Sequence, residues 1–171
     1  MWSVDFLTAT SEHGVDSELN TELKLFTERD SASYLGVRAT GYNGPYLLQF
    51  ETLWDISELH YGTLLTASVA RTWLYRNWNF HALLGARFET ARALDYQFGI
   101  DADEATAAYP EYEADSGTTF VTEAGVTYPL NEYLVLKSTF RWWELPSAVV
   151  GSPFITDDSY LTFSNSITFV Y

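Results

Sequence analysis

One short segment of this 171-residue chain gathers residue types that can do nucleophilic chemistry. In "DISELH", Asp55, Ser57 and His60 stand close together. A serine hydroxyl becomes a nucleophile when an imidazole takes its proton and a carboxylate orients that imidazole. Such a set cleaves esters, those of lipids included. The plainer reading is a polar connection, because Ser and Asp are residues that turns prefer. No Gly-x-Ser-x-Gly nucleophile elbow occurs in the chain. Of the other histidines, His13 in "SEHGVD" has the surroundings of a solvated turn residue, and His81 alternates with Asn79 and Arg87.

A second cluster is acidic. Asp101, Asp103, Glu104, Glu111, Glu113 and Asp115 could supply carboxylate oxygens to hard divalent cations. Their spacing is not that of a calcium loop, so a hydrated connection is the simpler reading, and Asp157 and Asp158 read the same way. With no cysteine, the chain has no thiolate metal site and no disulfide framework. No Gly-rich phosphate loop, metal-ligand pair or cofactor motif is present, and no cofactor is expected. A net charge of -14 argues against nucleic acid as a partner, because phosphate binding needs a basic surface.

The elements that would position these residues alternate with period two. Strands are expected over 2–9, 18–28, 33–42, 46–55, 60–74, 78–91, 117–128, 133–143 and 160–171, nine in all, with almost no helical periodicity. In 46–55, Tyr46, Leu48, Phe50, Thr52 and Trp54 oppose Gln49, Glu51 and Asp55. In 133–143, Leu134, Leu136, Phe140 and Trp142 oppose Lys137, Thr139 and Arg141. The polar parity carries both signs of charge, which favours paired charges bridging a narrow interior over a ring of one sign.

Tight turns flanked by aromatics ("YNGPY", "YRNWN", "YPLNEY") alternate with longer polar connections, among them 92–116 and 144–159. Aromatics make up 17% of the chain, enough to girdle both ends of a sheet. The layout is that of an all-β, antiparallel transmembrane barrel of outer-membrane type. A soluble sandwich or lipocalin-like barrel shares the alternation but turns its apolar parity inward.

From Gly36 onward the chain resembles the MipA/OmpV family of MltA-interacting outer-membrane proteins. The resemblance rests on "SYLGVRATGY", "ARTWLYRNWNFHALLGARFE", "LDYQFGIDADEATAAYPEYEADSG", "VTEAGVTYPLNEYLVLKSTFRWWELPSA" and "GSPF", followed by an aromatic-ended strand. Two positions depart from the family pattern: Gly151 stands where an acid is usual, and Tyr171 where Phe is usual.

The resemblance implies a non-enzymatic scaffold of the bacterial outer membrane. It would link a lytic transglycosylase and a murein synthase in peptidoglycan assembly, with lipid and lipopolysaccharide around it. A porin-like or stress-related barrel passing small solutes, and an outer-membrane lipid hydrolase, remain the alternatives. The whole chain, 1–171, is expected to be one barrel domain. It is also expected to lack N-terminal strands, since nine strands ending in the periplasm would start with a downward one. The short turns are expected on the periplasmic side with the 9–17 connection, and Asn43, Arg76, Asn77, Asn131 and Glu132 at their polar tips are the candidate partner-binding residues.

Overall fold

A computed structural model describes residues 1–10 and 29–170. Its strands are β1 (Trp2–Thr10), β2 (Ser33–Asn43), β3 (Tyr46–Asp55), β4 (Thr63–Tyr75), β5 (Trp78–Glu89), β6 (Gly117–Pro129), β7 (Leu134–Glu144) and β8 (Ser159–Phe169). They form one antiparallel sheet in sequence order, from β1 at one edge to β8 at the other. Each hairpin is set by local chemistry. Gly44 takes φ 58° ahead of Pro45, a pairing that suits a two-residue hairpin turn. The Asn131 side-chain carbonyl accepts the amides of Tyr133 and Leu134, closing the turn into β7.

The register sorts the two parities onto two faces. Val4, Ala39, Phe50, Ala67, Ala86 and Phe120 share a row across the first six strands. That face is open: Phe6 is 82% exposed, and Leu84, Phe140, Phe163 and Ile167 are exposed as well. The opposite face carries Arg38, Glu51, His81, Glu123, Thr139 and Arg141, with Glu123 and Thr139 buried. Apolar side chains thus face outward, while the charged parity is covered in part: Glu89 and Glu123 are buried, Arg38 and Glu51 half-buried, and Asp5, Lys137 and Arg141 exposed.

Two helices interrupt the long connections. The helix α1 (Ala91–Phe98) buries Ala93 and Leu94, and α2 (Ser147–Val150) buries Ala148 and Val149. Ala93 packs against Tyr34, Leu53 and Leu64 on the covered face. On its other side, Leu94 and Phe98 meet Ala114, Tyr112, Leu145 and Val149. The long connections therefore close over one end of the sheet as a small apolar core.

Several expectations change here. Helices were not anticipated, because eight residues burying only two or three positions leave too short a periodic signal. The 60–74 strand begins at Thr63, because Glu58 and Tyr61 adopt positive φ and 55–62 folds as a turn. The strand expected over 18–28, and with it Glu22 and Lys24, lies outside the described residues, as do His13 and Tyr171. The described sheet has eight strands rather than nine and passes directly from β1 to β2. Consequently β1 runs opposite to β8, and the direction count no longer calls for an odd number of further strands. Thr10, the last residue of β1, pairs with Ser33 at the end with the long loops, away from the short turns.

Candidate functional site

The geometry of 55–62 makes Asp55 a hub rather than the third member of a triad. One carboxylate oxygen accepts the Ser57 amide at 2.8 Å and the Ser57 hydroxyl at 2.5 Å. The other accepts the amides of His60 and Tyr61, both at 2.9 Å. The Asp55 side chain is 0% exposed. Ser57 thus donates its hydroxyl hydrogen bond to a carboxylate, while its oxygen accepts the Ser33 amide at 3.1 Å and ties the turn to β2.

His60 Nδ1 lies 3.7 Å from the Asp55 carboxylate, beyond hydrogen-bond reach, and its ring bonds other partners. Its Nδ1 accepts the Gly62 amide at 2.8 Å, which fixes the proton on Nε2, where it faces the Tyr34 hydroxyl at 2.9 Å. Burial pushes the imidazole below its ordinary pKa, with Asp55 opposing. The His60 ring also lies 5.4 Å from that of Tyr96 on α1, so this histidine is a polar pin inside the apolar core at the capped end. The Tyr96 hydroxyl donates to the Asp30 carbonyl, and burial raises its pKa.

Sequence reasoning did not single out Arg29. Its guanidinium donates to the carbonyls of Tyr96 and Gly99 at the C-terminus of α1, where a cation complements the helix dipole. It also lies 3.6 Å from Glu104, drawing one acid of the 101–115 segment inward. Asp101, Asp103, Glu111, Glu113 and Asp115 remain exposed. Among the described residues, no three His, Cys, Asp or Glu side chains converge as a metal site.

The covered face holds its charges in pairs. Arg38 bonds Glu51 directly across β2 and β3. Arg141 Nε donates to Glu123 at 2.6 Å across β6 and β7, and His81 Nε2 lies 3.1 Å from the other Glu123 oxygen. Arg87 pairs with Glu89 along β5. These pairs join neighbours in the sheet instead of spanning an interior, because the register sets opposite signs side by side. Gly125 makes the His81 contact possible, since a Cβ there would collide with the imidazole. A polar cleft of about 320 Å³ beside this network is lined by Glu123, Lys137, Thr139, Arg141, Thr162, Ser164 and Ser166.

The five candidate partner-binding residues all fall at the end with the short turns, carried by three separate hairpins. Their side chains differ in use. Asn131 is occupied by its own turn, and Arg76 sits at φ 54° with its guanidinium 5.5 Å from the Tyr75 ring. One outward-facing charge had escaped attention: Arg71, on the apolar parity of β4, legible as the single break in "TLLTASVARTWLY".

An antiparallel sheet with an exposed apolar face, a charge-paired covered face and one capped end defines the class of protein. The chain belongs to the MipA family, described as MltA-interacting protein MipA, whose family model matches residues 2–171. The match reaches back beyond the first of the family motifs, which begins at Ser33. Comparison with curated proteins and with solved structures returned no match.

Proposed function

We propose that residues 1–171 form a single outer-membrane β-barrel domain. In this reading the chain acts without catalysis, as a scaffold that holds a lytic transglycosylase near a murein synthase in the bacterial cell envelope. One observation carries the membrane part: the eight-stranded sheet exposes its aromatic and aliphatic parity, while its charges gather on the other parity, where Glu89 and Glu123 are buried. That arrangement gains free energy in lipid and loses it in water. The family's description as MltA-interacting supports the scaffold part. The Ser57 proton directed at Asp55, with His60 turned to Tyr34, weighs against an ester-cleaving role.

The partner surface in this reading is the end with the short turns, where Arg76, Asn77 and Glu132 stand on turn tips. Replacing these three with alanine should weaken capture of a lytic transglycosylase from envelope extract, while heat-modifiable gel mobility shows that the barrel still assembles. Asn131 stays in place because its own turn depends on it. Unchanged capture, together with loss of an envelope phenotype on trimming 101–111, would put the working surface at the other end and refute the scaffold. The cleft along β6–β8 favours a second reading, passage of small polar solutes, which single-channel recording tests.

A further inference from the structure

Among the described strand residues, the open face carries two charges. Glu144 ends β7 on the side of the long connections, whereas Arg71 lies within β4, toward the short turns. Arg71 is held in an aromatic corner. Its Nη1 donates to the Tyr46 hydroxyl at 3.2 Å, and its guanidinium stands 5.2 Å from the Tyr46 ring and 5.8 Å from the Trp73 ring. A guanidinium has five N–H donors in a planar fork suited to a phosphate. Within the protein, the described residues give Arg71 one hydrogen-bond acceptor, the Tyr46 oxygen. Having accepted from Arg71, that hydroxyl keeps its own proton free to donate outward.

The same face offers a second feature directly beneath. Ala67 and Ala86 leave a shallow apolar groove of about 380 Å³ between Leu48, Phe50, Val69, Leu84 and Phe120. Val69 is two residues from Arg71 on β4, on the same parity. From Arg71 to Ala67 the strand advances about 13 Å at roughly 3.3 Å per residue, close to the ~15 Å half-thickness of a bilayer's hydrocarbon core. An anion-binding fork at the rim and an apolar channel leading toward mid-sheet match the two ends of a single lipid molecule.

We propose that this corner binds one anionic phospholipid, its phosphate on Arg71 and the Tyr46 hydroxyl and an acyl chain in the Ala67/Ala86 groove. The proposal rests on the reading that the open face meets lipid. The lipid supplies acceptors to the guanidinium donors, which bare hydrocarbon would leave unmet. Arg71 and Arg76 share one hairpin, while the acids of 101–115 occupy the opposite end, so the local field attracts an anionic headgroup in a chain of net charge -14.

The test uses the full chain in nanodiscs of equal phosphatidylcholine and phosphatidylglycerol, with retained lipid identified by native mass spectrometry. The wild-type chain should retain phosphatidylglycerol preferentially. Arg71→Ala should lower that preference about fivefold, the factor that one basic residue contributes at an anionic lipid surface. Arg71→Lys and Tyr46→Phe should each keep part of it. Quenching of tryptophan fluorescence by brominated acyl chains, measured on the same samples, reports separately whether the open face meets lipid. Quenching in both wild type and Arg71→Ala with an unchanged phosphatidylglycerol preference overturns the lipid site and leaves the barrel standing. Absence of quenching in the wild type overturns both.

Discussion

Asp55→Ala should open the 55–62 turn without unfolding the sheet. The carboxylate accepts four donors, two on each oxygen, and its side chain is shielded from water. Removing it leaves the amides of Ser57, His60 and Tyr61 and the Ser57 hydroxyl without an acceptor. Tyr61 is exposed and a hydroxyl can rotate, so water replaces those two bonds cheaply. The amides of Ser57 and His60 are less accessible, and each bond to a charged acceptor contributes about 1.5 kcal/mol net at the low end. The expected cost is therefore about 3 kcal/mol, felt locally. Amide hydrogen exchange reads it directly: the His60 and Tyr61 amides should exchange roughly 100-fold faster. Asp55→Asn should cost about 2 kcal/mol, because one carbonyl survives while its NH2 group meets two N–H donors. Ser57→Ala removes one donor to Asp55 and the acceptor of the Ser33 amide, and should cost about 2 kcal/mol. Unchanged exchange in Asp55→Ala, or a larger effect from Ser57→Ala, would refute the hub. A triad would show the reverse pattern, with esterase activity lost in all three variants and exchange unaltered.

Three other outcomes follow from the same geometry. Phe140→Arg, on the open face where Phe140 stacks on Phe163 at 4.3 Å, should destabilise the lipid-inserted chain by about 2–4 kcal/mol in urea titration; no cost would show that this face does not meet hydrocarbon. The Gly62 amide bond requires an unprotonated His60 Nδ1, and burial lowers the histidine's folded-state pKa below the ordinary value of about 6.5. The unfolded turn then binds the proton more readily, so this stabilisation is complete above about pH 6.5 and is lost as pH falls toward the folded value. Gly62 protection, corrected for intrinsic exchange, should decline on acidification in the wild type, and protection that rises instead would refute the assignment. Arg141→Met strips the buried Glu123 of one partner, but the Arg141 side chain is 45% exposed and its charge is screened. The cost should be about 1–2 kcal/mol, and adding His81→Phe should cost more than the sum of the two single changes.

The sequence alone determined the alternation. A side-chain period of two is a local property of extended backbone, so the strands Tyr46–Asp55, Trp78–Glu89 and Leu134–Glu144, the tight turns and the apolar and polar parities were legible from residue types, although the strand expected to reach 91 stops at Glu89, where Thr90 caps α1. The family was legible too, through motifs kept in order along the chain. Pairing is not a local property, and the tertiary structure decided it. Only the sheet showed that β1 lies against β2, which reversed the direction assigned to the first strand. It also showed which parity stays open. Alternation is identical whether the apolar face packs inward or looks out, and only the packing of α1 and the long connections onto the charged face distinguishes the two. The same limit governed the site. "DISELH" placed Asp55, Ser57 and His60 together, but hydrogen-bond direction depends on residues distant in sequence. The Tyr34 hydroxyl accepts from His60 Nε2, and the Ser33 amide donates to the Ser57 oxygen. The covered charges paired side by side because the register set Arg38 opposite Glu51 and Arg141 opposite Glu123, an outcome of strand alignment that no single strand contains.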